Sequence, residues 1–524
     1  MPDVNSNPNH ALETARRSAK ALKRSVRAGD ADALSRIDAV FDTRPDPVRH
    51  SHCLHAIARE AGSRSWPAHK TALELAALDR DQAAARLGLA LYAGRDRISE
   101  QLLLRESELV ADSFHLALAL ADEERVGDWL DRHPDAASVP GRTGTASSFE
   151  LDPLVRVAGS TILRHRPERA AAQRRIVERL LSLGADPDAR HSGPEFPDAS
   201  LSVLYATLCV ADNLEIARLL LEAGADPNDN ECAYHSAEAP TLEPLALLIA
   251  HGVRFERTNA LLRMLDFDKL DGARMMLQAG ADPNEAPGHG SDGPSAYGNA
   301  LHHAILRGRD GRLADLLLDA GADGSVLHFG RSAYALAAVN GNGPMMEALE
   351  RRGLASELSP RDRFLAALAR GDAKGARNVA SAYPAAEGEL TEGDRQRLVD
   401  FARMPGRIEA IRAMLDAGID PQTTDREGLT PLHAACWFGR IEYLPLLLER
   451  GGDLEHTNMY GGTALGTAVH GSANCPTRGE GDYAACVALL LAAGARIRPE
   501  HGDLVSGSAE VTELLEDWLE ERAD

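Results

Sequence analysis

The side chains able to do chemistry fall into a few short groupings. His50, His52, Cys53 and His55 are metal-capable groups on one short stretch. On a helix His52 and His55 come close, while Cys53 turns with Leu54 toward the core. No second cluster completes a tetrahedral set, so these read as incidental surface histidines. Gly288-His289-Gly290-Ser291-Asp292-Gly293 spells G-x-G-x-x-G, whose phosphate-cradling form needs a strand before it and a helix after it. Here it follows Asn284 in a polar stretch and reads as a loop. Asp266, Asp268 and Asp271-Gly272 have the composition of a calcium loop, but Leu270 takes the third ligand position and the glycine is displaced. No G-x-S-x-G, Walker loop or H-E-x-x-H is present, and no carboxylate pair stands in an apolar context that would shift a pKa for acid–base work. The sequence therefore predicts no catalytic residue, no metal site and no cofactor.

Composition narrows the class further. Hydrophobic residues make up 44% of the 524 residues, but aromatics only 4%. The core must be built from Leu, Ala, Val and Ile, which suits thin layers of short, closely packed helices. A net charge of −22 opposes nucleic-acid and anionic-membrane partners by repulsion. Positive charge is nearly all Arg, the lysines being Lys20, Lys23, Lys70, Lys269 and Lys374. With the Ala, Asp and Gly bias, this points to a GC-rich bacterial genome. Cys53, Cys209, Cys232, Cys436, Cys475 and Cys486 form no C-x-x-C pair and read as reduced thiols. The first residues hold no apolar signal region, and no later run reaches the roughly 18 apolar residues of a spanning helix. The expectation is a soluble, cytoplasmic chain with no membrane partner; a non-cleaved secretion signal would escape this test.

The elements that position these groups are most complete between Asp425 and Leu454. Asp425 to Gly428 is turn chemistry, Thr430 is placed to cap a helix, and Pro431 suits its first position. Leu432, Ala435 and Cys436 share one face, and Gly439 ends the helix. Ile441, Leu444, Leu447 and Leu448 mark a second helix, closed by Gly451-Gly452. Two helices this short cannot bury their inner faces alone, so the unit needs stacked neighbours. Its ending recurs along the chain, at Gly184, Gly224, Gly252, Gly280, Gly321, Gly353, Gly418, Gly451 and Gly494. The gap from Gly353 to Gly418 is double, and the missing unit is visible in 364–384, a segment similar to 114–134. A weaker copy lies in 86–105. Insertions at 188–200 and 285–298 precede a first helix, while 471–482 and much of 161–173 fall between the two helices of a unit.

Before this array, Leu12, Ala15, Ala19, Leu22 and Val26 form one helical stripe, with Arg16, Arg17, Lys20, Lys23, Arg24 and Arg27 mostly outside it as a solvated basic face. The run 58–74, with Ser65-Trp66-Pro67, belongs to the same small helical module. At the other end, Val511, Leu514, Leu515, Trp518 and Leu519 share a face. Glu510, Glu513, Glu516, Asp517, Glu520 and Glu521 lie elsewhere, as on a capping helix with a polar outer side.

Thr430-Pro431-Leu432-His433 and the Gly-Ala-Asp type endings resemble the ankyrin repeat family. Residues 58–74 resemble a helical module found ahead of ankyrin arrays in bacterial proteins. The resemblance implies an all-α ankyrin-repeat solenoid of about ten or eleven repeats, with β-hairpin-like fingers, behind a small helical module. The expected divisions are 1–10 as a disordered N-terminus, 11–78 as the N-terminal helical module, 79–355 and 356–505 as two stacks parted near 354–361, and 506–524 as a capping helix. It also implies that His433 and His302 tie neighbouring repeats by hydrogen bonds. The implied function is non-enzymatic binding of a protein partner on the concave face. The contact positions of the family fall here on Arg426, Glu427, Leu429, Trp437 and Phe438. In the next repeat they fall on Met459, Tyr460, Gly462 and His470, where Gly466 replaces the signature His. Trp437 or Phe438 could instead pack on the adjacent repeat. Two other functions stay open: an effector enzyme with its chemistry in the N-terminal module or an insert, and an immunity-type inhibitor of one partner.

Overall fold

The computed structural model describes the chain apart from residues 1–9, 42, 111–112, 148–149, 193–199, 230, 287–297, 499–506 and 524. The expected disordered N-terminus and the glycine loop 288–293 therefore lie essentially outside the described residues.

The repeat at 425–454 shows how local chemistry builds the array. The Asp425 carboxylate accepts the N–H groups of Glu427 and Leu429, each at 2.9 Å, and Gly428 closes the turn at φ 72°. Thr430 accepts the His433 N–H and so caps the helix Pro431–Trp437, with proline in its first turn. Leu432, Ala435 and Cys436 are buried along one face. A 3-10 turn, Ile441–Tyr443, leads into the helix Leu444–Glu449, and Gly452 N–H closes it on the Leu447 carbonyl at 2.8 Å. Helices of 7 and 6 residues are marginal alone. The first one packs instead on Glu392–Arg403 before it and Ala464–Asn474 after it.

The same grammar runs through the chain. All nine ending glycines sit in the left-handed region, with φ from 70 to 104°. The three weak copies are helix pairs too: Arg80–Tyr92 with Asp96–Leu103, Phe114–Ala119 with Glu123–Arg132, and Pro360–Ala369 with Ala373–Ala382. The fold is an all-α ankyrin-repeat solenoid. Its fingers are turns rather than ladders. Among the described residues the strands are Arg190–His191 and Leu201–Ser202, an antiparallel pair with Arg190 opposite Ser202. They pair the two edges of the 188–200 insertion. The 471–482 insertion, read as an inter-helix loop, begins as helix, because Ala464–Asn474 runs through Gly471.

Two compact units are present. The first comprises Met1–Thr14, Ala68–Arg307 and Asp315–Asp323, and the second Ala15–Pro67, Gly308–Ala314 and Gly324–Asp524. The first holds a continuous aliphatic core from Leu75 to Ala225. In the second, Ala333–Val339 packs on Pro360–Ala369, so the helices flanking the expected break at 354–361 are neighbours. Among the described residues no helix is long and apolar enough to cross a membrane.

The two ends of the chain depart from expectation within the second unit. Helix His50–Glu60 packs on helix Ala509–Ala523. Asp517, assigned above to a polar outer side, is buried and accepts both the backbone N–H and the hydroxyl of Ser51, each at 2.6 Å. Lys23, assigned to a solvated basic face, is likewise buried. Periodicity places a residue on a helix face but cannot say which other helix covers that face.

Candidate functional site

The two repeats between Asp425 and Asn474 bring most of the expected contact positions together. Their fingers are joined directly, Met459 N–H donating to the Glu427 carbonyl at 3.0 Å. Asn458 does in the second finger what Asp425 does in the first: its Oδ1 accepts the N–H groups of Tyr460 and Gly462, both at 3.0 Å. This leaves the tip side chains outside. Met459 is 67% and Tyr460 74% exposed. Arg426 is exposed, while Glu427, Leu429 and Gly462 are partly covered.

At the other end of the first helices, Trp437 and Phe438 are half-buried and His470 is exposed. The Trp437 ring lies 5.8 Å from the His470 ring, tilted by 32°. Trp437 therefore does pack on its neighbour, while part of it stays open to solvent. Its carbonyl is hydrogen-bonded. It accepts the Tyr483 hydroxyl at 2.8 Å, and a Cβ on Gly471 would stand only 2.6 Å from it.

Beneath this surface the frame is polar and well connected. His433 is buried, its Nδ1 2.8 Å from Thr430 Oγ1 and its Nε2 3.2 Å from the Gly462 carbonyl of the next repeat. That is the inter-repeat tie the family resemblance implies. Burial lowers its imidazole to about 4, so it is neutral at pH 7. His302, in the first unit, is buried and exchanges hydrogen bonds with its own cap residue Asn299. His456 Nε2 reaches the Gly428 carbonyl at 3.1 Å, and Arg403 pairs with Asp425.

Several contributors go unread in the sequence. Tyr443, fully buried, donates its hydroxyl to the Met404 carbonyl at 2.6 Å and accepts the Arg407 N–H at 2.9 Å, latching one repeat to the preceding one. A second apolar fingertip lies at Leu327 and Phe329, 61% and 62% exposed. Its signal was present: His328-Phe329-Gly330 precedes the capping Ser332 much as Met459-Tyr460-Gly461 precedes the capping Thr463.

The groupings set aside at the outset have structural partners. His52 Nδ1 accepts the Arg49 N–H at 3.0 Å, and the His52 and His55 rings flank Phe41. Cys53 is buried. Asp266 accepts from His303 Nε2 at 2.8 Å and Arg307 Nε at 2.7 Å. Burial alone would raise its pKa, but the hydrogen bond from His303 and the Arg307 charge outweigh it and hold the carboxylate at about 2. Among the described residues no group of three His, Cys, Asp or Glu side chains could hold a metal ion.

Comparison with known proteins agrees with this architecture. Residues 399–448 match the family model described as ankyrin repeats in many copies. The chain is 39% identical over 65 residues to ankyrin repeat-containing protein P1E11.10 of Schizosaccharomyces pombe, covering 12% of this chain and 31% of that protein. It is 34% identical over 142 residues to Protein PhlB of Serratia liquefaciens, covering 26% and 60%. It is 31% identical over 113 residues to NF-kappa-B inhibitor alpha of Sus scrofa, covering 20% and 32%. The chain spans 60% or less of the length of each of these relatives.

Proposed function

We infer that the chain is a non-enzymatic scaffold that takes a protein partner on the concave side of its repeats. The contact surface is formed by Arg426, Glu427, Leu429, Trp437, Phe438, Met459, Tyr460 and His470. The observation that carries this reading is the pair of adjacent fingertips whose backbone N–H groups at 459–462 are hydrogen-bonded while Met459 and Tyr460 project. Large apolar side chains at an exposed tip contribute nothing to the fold. Aromatic and Met side chains of this kind, rimmed by charge, are what protein interfaces concentrate. The relative named NF-kappa-B inhibitor alpha is, by its name, a protein acting on another protein, which supports the same mode here. With a net charge of −22 the partner is a protein rather than a nucleic acid or an anionic membrane.

The test is cross-linking capture of the partner from native cells, repeated with Trp437→Ala and Tyr460→Ala. Each should weaken capture by about 2 kcal/mol or more. Tyr460→Ala should leave thermal stability unchanged. If both variants hold the partner as tightly as the parent, the binding surface lies elsewhere.

A further inference from the structure

The finger at 325–331, in the second unit, closes on a two-residue hairpin turn. His328 N–H donates to the Arg331 carbonyl at 2.9 Å, and Arg331 N–H donates back to the His328 carbonyl at 3.1 Å. The two residues between them, Phe329 and Gly330, stand at φ 47° and 76°. Positive φ at both central positions is what a type I′ turn requires, and Asn-Gly meets it at least cost. Gly330 suits the turn. Phe329 does not, because a bulky side chain in the left-handed region is strained. Among the described residues it is the one aromatic with positive φ. The fingers at 425–429 and 458–462 avoid this cost: a side-chain oxygen of Asp425 or Asn458 sets the turn, and the positive φ falls on Gly428 and Gly461.

The strained residue contributes little to the fold. Phe329 is 62%, Leu327 61% and Val326 42% exposed, while His328 between them is buried. The Phe329 ring rests edge-on against that of His328, centroids 4.5 Å apart. The base of the tip is fixed and its cations are engaged. Arg331, buried, is spent on Asp362 at 2.7 Å and Asp394 at 2.6 Å. Arg361 stands 3.7 Å from Asp394, and Arg363 lies over the Tyr383 ring. The charge left over on the following fingers is acidic. The Ser332 and Ser356 hydroxyls, 2.7 Å apart, join the tip to the next finger, where Glu357 is exposed. The finger after that carries Glu387 and Glu389, also exposed. None of these three carboxylates is paired among the described residues.

We propose that the tip at 326–329 is a docking element for a protein segment in which large apolar side chains adjoin Lys or Arg. The apolar side chains pack on Leu327 and Phe329, and the cations meet Glu357, Glu387 and Glu389 on the following fingers. The strain at Phe329 is retained for contact: an Asn there would relax the turn and give up the ring. The tip lies outside the contact surface at 426–470. It shares with that reading only the premise that the chain binds protein.

Two measurements on the full chain test it. In urea denaturation the midpoint of Phe329→Asn should rise, because the turn relaxes and no buried apolar area is lost. Random-peptide display on the parent supplies the binding probes, each then titrated by fluorescence anisotropy on the parent, Phe329→Asn, Leu327→Ser and Tyr460→Ala. Peptides that combine Phe, Trp or Leu with Lys or Arg should lose about tenfold or more on both tip variants and keep their affinity on Tyr460→Ala. Glu357→Lys should weaken the same peptides by about threefold or more. An unchanged or lowered midpoint in Phe329→Asn, no peptide lost on the tip variants, or tip-dependent peptides that are acidic would each overturn the proposal. Peptides lost on Tyr460→Ala alone would overturn it too, while leaving the surface at 426–470 standing.

Discussion

Tyr443→Phe isolates the energy of one inter-repeat latch. The ring is fully buried, and replacing it with phenylalanine keeps its volume, so no sizeable cavity opens. What is lost is a hydroxyl that donates to Met404 O at 2.6 Å and accepts from Arg407 N at 2.9 Å. Two backbone groups at the helix–helix turn of the preceding repeat lose a partner. At about 1–1.5 kcal/mol per bond, the substitution should cost about 2–3 kcal/mol. Tyr483→Phe is the internal control. Its hydroxyl donates to one backbone group, Trp437 O at 2.8 Å, beside a weaker contact with the Cys475 thiol, so its cost should be about 1–1.5 kcal/mol. Urea denaturation gives both numbers. Amide exchange then locates the damage, which should fall on 392–416 and 431–449 and spare 114–222, because solenoid coupling is between nearest neighbours. Equal costs for the two tyrosines, or protection lost evenly as far as 114–222, would refute the latch.

Within the same repeat, Thr430→Ala should cost about 1 kcal/mol through the lost cap, and Leu432→Ala about 2–5 kcal/mol through a core cavity, both read by denaturant midpoint. Gly471→Ala should destabilise by about 1–3 kcal/mol, since its Cβ would meet Trp437 O at 2.6 Å and the Tyr483 ring at 3.0 Å. Gly479→Ala, with open space around it, should be neutral; a neutral Gly471→Ala would show that the contact yields. His50, His191 and His433 are buried, and burial lowers each from 6.5 to about 4. Between those values the unfolded chain takes up protons that the folded chain refuses, so stability present above pH 6.5 is lost as pH falls toward 4. A denaturation midpoint flat from pH 7 to 4 would contradict this.

How much of this was legible in the sequence follows from the range of each interaction. Turn, cap and ending are fixed within a few residues. Asp425, Gly428, Thr430 and Pro431 therefore act as their types predict. Fingertip exposure was legible for the same reason: Asn458 sets its turn locally, and Tyr460 projects. The half-burial of Trp437 was not, because it depends on where His470 of the next repeat puts its ring. Partners far apart in the chain leave no local trace. Ser51 and Asp517 pair across nearly the whole sequence, and only the fold shows that the acidic terminal helix has a covered side.

The polar links that escape the sequence also answer a problem raised by the core. A stack built from Leu, Ala, Val and Ile has nearly interchangeable apolar faces, and a Leu-on-Ala contact does not distinguish one stacking register from another. Directional contacts do, since a misplaced one leaves a buried polar group unpaired. In the second unit Arg331, buried at a finger, bonds Asp362 at 2.7 Å and Asp394 at 2.6 Å, the latter fully buried at the next first helix but one. Arg397 reaches back to Asn340 at 2.8 Å. Together these span the helices Ala333–Val339, Pro360–Ala369 and Glu392–Arg403, and Tyr443 extends the series to the following repeat. They bracket 364–384, a repeat whose own signature is weak. Where apolar grammar is degenerate, buried ion pairs and single hydroxyl latches hold the register, and that keeps the fingertips at fixed spacing.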